Sequence, residues 1–384
     1  MSEPEIPGKL GTAWAFGISA TAILTLVFST LYATNMIYAD ETRSGSVLWL
    51  TVLIRSVLIA VALGASGLLF VTAVIRNDRL DGRVKRSLTM PLSVFVLVLF
   101  LELVFMFVPR SHGTGITLAE RVWDSLYWQD INSLGFRDHE PPTPGSETQY
   151  VLVVGDSFTE GHGIRFIEQR YTGLLQARLG SPYKVLNLGA SGSDTRRQYK
   201  NLETYPIPPD IVILQYFGND IEEACRQHGK TFVGFQFYSD VPGFAKYLVT
   251  HSFFFNFAYW LFPHDAGNRR YAGYLQDCYG DEGVLEEHFR DLDRFVEYAI
   301  DRQVPLLVLI FPFLEENTDA VNRYVPLVGS HLEAQGVLVI SVADLIQSLP
   351  PGDRVVNRSD GHASTKVHEA AARALLLWFQ SRGR

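Results

Sequence analysis

The stretch Tyr150-Val151-Leu152-Val153-Val154-Gly155-Asp156-Ser157-Phe158-Thr159-Glu160-Gly161 decides how this chain is read. Its first half is a short, unbroken apolar run that stops at Gly-Asp-Ser. That is the mark of a strand buried on both faces, as in a parallel sheet. The residues that follow change period: Ile167, Tyr171, Leu174, Leu175 and Leu179 share one helical face, and Gly180 closes it. A serine between the two stands at a strand's carboxyl end and near a helix N-terminus. Backbone N–H groups there meet negative charge as it develops. Gly-Asp-Ser alone is a weak signal, and the chain has no GxSxG elbow.

Working outward, Val185-Leu186 starts a second strand and Ile211–Leu214 a third, after Pro206-Ile207-Pro208-Pro209. Leu285, Phe289, Leu292, Phe295, Val296 and Ala299 mark a long amphipathic helix, and Val304–Phe311 and Val337–Ile340 supply two more strands. A last helix, capped by Ser364 or Thr365, presents Val367, Ala371, Leu375 and Trp378. Strands separated by helices predict an α/β fold: a three-layer αβα, flavodoxin-like arrangement with a parallel sheet. Ligands bind such sheets at the carboxyl ends of the strands.

Four loops carry chemistry at those ends. The first holds Ser157; the second is Asn187-Leu188-Gly189-Ala190-Ser191-Gly192-Ser193-Asp194-Thr195; the third is Gly218-Asn219-Asp220; the fourth is Ser359-Asp360-Gly361-His362. A serine nucleophile needs a base, and the base an orienting carboxylate. His362 and Asp360 fit that pair. The N–H groups of Ser157 and Gly192 and the amide of Asn219 fit the donors an oxyanion requires. Asp156 and Asp220 fit loop hydrogen bonding, and His162, five residues after Ser157, fits either the lining of the pocket or, as is usual for a lone histidine in a helical lead-in, the surface.

These four blocks, in this order, resemble the SGNH (GDSL-like) hydrolase superfamily, whose namesake residues fall on Ser157, Gly192, Asn219 and His362. Asn132-Ser133-Leu134-Gly135-Phe136-Arg137-Asp138 resembles a lead-in of its membrane-attached members. The resemblance covers residues 130–384 and implies ester hydrolysis without a metal or organic cofactor. Many members place the aspartate three residues before the histidine, where this chain has Ser359. Asp360 stands two before and is assigned as the orienter; the other reading makes it a cap of the last helix.

The first 110 residues have a different character. Long apolar runs at 12–38, 47–75 and 88–109 are each longer than the ~20 residues that a bilayer core requires, enough to span it with some tilt. Arg76, Arg79, Arg83, Lys85 and Arg86 crowd the loop between the second and third, against Arg43 alone in the first turn. Cationic loops stay inside, so the N-terminus is expected in the cytoplasm and everything after 110 outside it, as in a multi-pass inner-membrane protein. Arg55 and Glu102 sit at similar depth and could pair. The expected domains are 1–112 in the membrane, a connector over 113–147, and the hydrolase over 148–384.

An aromatic-rich insertion over 221–283 reads as a cap on the active site or a helix in the outer headgroup layer. Cys225 and Cys278, the two cysteines of the chain, flank it. A disulfide there would pin its base, with two buried thiols the other reading. A net charge of −8 and a pI near 5.7 exclude a basic nucleic-acid-binding face. The expected function is a membrane-anchored serine esterase or deacylase acting on acetyl esters of extracytoplasmic glycans or lipids. Two rivals stand beside it: an O-acetyltransferase working with a partner membrane protein, and a non-catalytic scaffold of an envelope complex.

Overall fold

The computed structural model describes residues 81–108, 110–111, 117–128, 130–145, 147–232, 241, 243–262 and 266–382, with scattered positions between 54 and 67. The chain divides into two compact units. One comprises Met1–Pro109, Ile116–Ser125 and Val241–Leu261; the other comprises Arg110–Gly115, Leu126–Asp240 and Phe262–Arg384.

The second unit is built on a five-stranded sheet. Strands β1 (Gln149–Gly155), β2 (Tyr183–Gly189), β3 (Ile211–Tyr216), β4 (Leu306–Ile310) and β5 (Leu338–Ser341) lie in the order β2-β1-β3-β4-β5 and pair in parallel. This is the flavodoxin-like order expected of strands alternating with helices. The side-chain alternation of β1 divides the core in two. Val151 and Val153 face a cluster with Ile213, Leu307 and Leu309, covered by Tyr171, Leu175 and the last helix, Thr365–Arg382, through Val367, Ala371 and Leu375. Leu152 and Val154 face the other side, where Leu202, Leu292, Phe295 and Leu332 come from three covering helices. Full burial makes each such side chain worth roughly 1.5–3 kcal/mol.

A short antiparallel hairpin follows: β6 (Val355–Asn357) pairs with β7 (Asp360–Ala363). From sequence, 359–362 reads as a loop. Such short strands give no period, and Ser-Asp-Gly is turn chemistry. The last helix is capped by Ser364, whose Oγ accepts from Val367 N–H at 3.4 Å.

The insertion over 221–283 is shared between the units. Its ends stay with the sheet, where Ile221, Ala224, Cys225, Tyr271, Leu275, Cys278 and Val284 form one buried cluster. A disulfide joins Cys225 to Cys278, with Cα atoms 5.6 Å apart. Its middle, helices Gly243–His251 and Phe253–Tyr259, belongs to the other unit. There Phe257 stacks on Phe105 of the helix Gly82–Phe105, ring centroids 4.1 Å apart. Phe254 also lies against Phe105, ring centroids 5.8 Å apart, while Leu261 and Phe262 at the end of the run are exposed.

Glu102 caps that arrangement. Its carboxylate accepts from Ser252 Oγ at 2.5 Å and from the N–H groups of Phe253 and Phe254 at 2.9 Å each. An anion suits a helix N-terminus, where four N–H groups lack intrahelical partners. Arg55, the partner expected for Glu102, lies outside the described residues, as do the run 12–38 and most of 47–75. Among the described residues no helix is long and apolar enough to cross a membrane.

The disulfide yields a prediction. Its cysteines are 53 residues apart, and the chain-entropy account values such a link at about 4 kcal/mol. Cys225→Ser with Cys278→Ser should unfold at markedly lower denaturant concentration, and the parent protein should take up no alkylating reagent until it is reduced. Labelling of both cysteines in the unreduced, unfolded protein would contradict the link.

Candidate active site

Ser157 opens a four-residue helix, Ser157–Glu160, directly after β1. Asp156 is its N-cap and accepts Phe158 N–H at 2.9 Å. Gly161, at φ 80°, ends it, and the N–H groups of Gly161 and His162 both donate to Ser157 O at 2.9 Å. Gly155 has no room for a side chain: a Cβ there would lie 2.2 Å from Thr159 Oγ1 and 2.3 Å from Gln215 Oε1. That crowding brings the helix down onto the strand end.

The β6–β7 hairpin delivers the other two groups. His362 Nε2 lies 2.9 Å from Ser157 Oγ, and His362 Nδ1 lies 2.6 Å from Asp360 Oδ1. The same Oδ1 accepts His362 N–H at 3.1 Å, which locks the two residues in one orientation. Burial alone would raise the Asp360 pKa. The charges of His362 and His162, with hydrogen bonds from His362 and Ser111, outweigh burial and hold the carboxyl below its usual range. Burial alone would lower His362, but the Asp360 carboxylate, aided by Asp156 and Glu315, raises it above 6.5.

The candidate oxyanion donors flank this line. The loop after β2 is pinned to the Ser157 turn: Ala190 N–H and Ser193 Oγ both donate to Gly155 O, at 3.1 and 3.2 Å, and Ser191 N–H donates to the Glu160 carboxylate. Gly192 sits in this loop at φ 67°, exposed, with nothing within 4 Å of where a Cβ would stand. Asn219 lies in the turn Gly218–Ile221 after β3, and its buried side-chain oxygen has no partner among the described residues. Asp220 beside it accepts Phe217 N–H at 2.9 Å and Gln198 Nε2 at 2.6 Å. Asp156 and Asp220 therefore both serve loop hydrogen bonds, and burial pushes both carboxyls upward.

Several residues here are not evident from the sequence. His162 is not a surface residue: its ring lies 4.4 Å from that of His362, and its Nε2 lies 3.7 Å from Asp360 Oδ2. Glu315 packs over Gly361, where a Cβ would come within 2.1 Å of Oε1. Burial raises its pKa, and the nearby charge of His362 partly offsets that. Ser111 donates to Asp360 Oδ2 at 2.5 Å. No period or motif announces any of these three, because each is brought in by tertiary contact. Among the described residues, His162, Asp360 and His362 are the group with metal-ligand spacing, their ligand atoms within 4.8 Å of one another.

The lead-in 132–138 supports the Ser157 turn from below. Arg137 is fully buried and donates to Gly161 O at 2.8 Å, Ile164 O at 2.7 Å and Tyr127 O at 2.9 Å. Arg170, also buried, donates to Arg137 O and Glu160 O and pairs with Asp138 at 3.1 Å. Asp138 in turn accepts Asn187 N–H at 2.9 Å. The loops after β1 and β2 are thereby tied to one buried network.

No protein-family model matches the chain. It is similar to an acetylxylan esterase of Xylanibacter ruminicola, 27% identical over 137 residues, which is 33% of this chain and 28% of that protein. The chain thus spans little more than a quarter of the length of that curated relative. An acetylxylan esterase structure from Geobacillus stearothermophilus is 19% identical, over 60% of this chain and 93% of that one, with a TM-score of 0.36. A lipolytic protein of the G-D-S-L family from Desulfitobacterium hafniense is 15% identical, over 59% of this chain and 99% of its own, with a TM-score of 0.36.

The electrostatics predict a titration. In the imidazole NMR signals, His362 should titrate above 6.5, and Asp360→Asn should bring it down. A raised folded pKa means that protonated His362 adds stability below pH 6.5, which is lost as pH rises through the raised value. A His362 signal titrating at or below 6.5 in the parent protein would contradict this account.

Proposed function

We propose that this chain is an ester hydrolase of the SGNH type that removes acetyl groups from glycans, with Ser157 as its nucleophile. The observation that carries the reading is the continuous line Ser157 Oγ to His362 Nε2 at 2.9 Å and His362 Nδ1 to Asp360 Oδ1 at 2.6 Å. The acetylxylan esterase relative supports acetyl as the acyl group and a glycan as its carrier.

In this reaction Ser157 Oγ attacks the ester carbonyl carbon while its proton passes to Nε2 of neutral His362. Asp360, ionised and buried, holds the Nδ1–H and stabilises the imidazolium that forms. The Ser157 and Gly192 N–H groups and the Asn219 amide receive the oxyanion. Collapse breaks the bond to the sugar oxygen, which takes the proton from His362. Water, deprotonated by the same histidine, then releases acetate and restores Ser157.

Within this reading the chain is held at the outer face of a bilayer by its N-terminal region. The runs at 12–38 and 47–75 support that, as does the exposed apolar stripe Met90, Val94, Leu97, Phe100 and Val104 on the helix Gly82–Phe105. The disulfide suits an oxidising compartment outside the cytoplasm.

Purified full-length protein should release acetate from acetylated sugars faster than it releases longer acyl groups from matched esters. Ser157→Ala should abolish turnover, and Asn219→Ala should lower it about a hundredfold with the fold intact. Undiminished turnover by Ser157→Ala would remove the proposal. Transfer of the acetyl group to an added sugar in preference to water would replace hydrolase with transferase.

A further inference from the structure

The carboxylate of Asp360 has two oxygens, and the proposed hydrolysis uses only one of them. Oδ1 accepts both His362 bonds, so the carboxylate can still swing about that contact unless Oδ2 is held as well. It is held by a residue 249 positions away. Ser111 Oγ donates to Oδ2 at 2.5 Å, and Ser111 and Asp360 are each 1% exposed, so water does not take the hydroxyl's place.

Ser111 is itself fixed by the hairpin that carries Asp360. Its carbonyl accepts Asn357 Nδ2 at 3.1 Å and lies 3.3 Å from Ser359 Oγ, whose shorter bond, at 2.5 Å, goes to Asn357 Oδ1. Asn357 Oδ1 takes Ser359 N–H at 2.8 Å, which closes the turn, and Asn357 stands opposite Asp360 in the β6–β7 register. The peptide of Ser111 is therefore bound to the turn while its side chain reaches the carboxylate. His162 Nε2 lies 3.7 Å from Oδ2, beyond hydrogen-bond range.

The geometry points to Ser111 as a positioning residue for the proposed hydrolysis: its hydroxyl fixes the plane in which Asp360 meets His362. This rests on the reading of Ser157, His362 and Asp360 given above. A buried carboxylate oxygen deprived of its donor either turns toward another or takes up a proton, and either event weakens the hold on His362 Nδ1. Ser111 touches neither substrate nor nucleophile, so its removal should act on kcat and spare KM.

The test is a double-mutant cycle on full-length protein with 4-nitrophenyl acetate. Ser111→Ala should lower kcat about tenfold, the kinetic weight of one hydrogen bond to a charged group, with KM unchanged. Ser111→Thr, which keeps the hydroxyl, should retain most of the turnover. In an Asp360→Asn background, Ser111→Ala should cost nothing further, because the group it acts through has gone. Should Ser111→Ala fail to fold, Ser111→Cys, close in size and a poor donor, should show the same loss. Unchanged kcat in the folded variant, or the same fold loss in both backgrounds, overturns the proposal and leaves the Ser157 reading intact. Full turnover by Asp360→Asn alone would overturn the proposal together with the orienting role of Asp360, while Ser157→Ala as a parallel control reports on the nucleophile separately.

Discussion

The parallel register of β1 and β2 is the constraint on which the rest of this molecule depends. Gly155 pairs with Gly189, so the two strands end level and their loops leave the sheet side by side. Both ends are glycine because neither has space for a side chain: a Cβ on Gly189 would lie 2.1 Å from Glu160 N. The short helix of Ser157 can therefore settle against both strand ends. A side chain at either position would lift it away from the sheet, and with it the hydroxyl that meets His362. Because β1 is buried and apolar on both faces, a slip of one residue would only exchange one apolar face for another, so the register rests on the close packing at the two glycines instead.

Charge at the site is divided by environment. Asp156, Glu315 and Asp360 all act on the His362 imidazole, yet burial drives the first two upward while Asp360 is held low. The difference lies in what each carboxylate touches. Asp360 receives a ring N–H, a backbone N–H and a hydroxyl, all favouring the anion, whereas one oxygen of Asp156 has no partner among the described residues.

Buried charges elsewhere serve the backbone. Arg137 and Arg170 gather the carbonyls of the turn that ends the Ser157 helix, and Glu102 gathers the N–H groups that begin Phe253–Tyr259. Each satisfies backbone groups that neither helix nor sheet can pair. The lead-in 132–138, which from sequence is only a resemblance, thus gains a physical role as the support beneath the loops after β1 and β2.

How far the sequence reaches is set by what is local. The five strands, the order of their helices, the loops bearing Ser157, Gly192, Asn219 and His362, and the flanking of the insertion by Cys225 and Cys278 are all legible in it. Each rests on an apolar period, a turn signal or a short motif that neighbouring residues impose. The β6–β7 hairpin escapes because strands of three and four residues leave no period. His162 escapes because a lone histidine in a lead-in looks the same on a surface as against another imidazole.

Contacts between segments that share no period come from packing alone: Ser111 on Asp360 across 249 residues, Glu315 over Gly361, Glu102 on Ser252, and the disulfide itself. Which loops stand at the sheet's edge can be read from the chain, because short apolar runs and the turn residues that end them are local signals. Which side chains meet there depends on the packing of whole elements, and no local pattern encodes that.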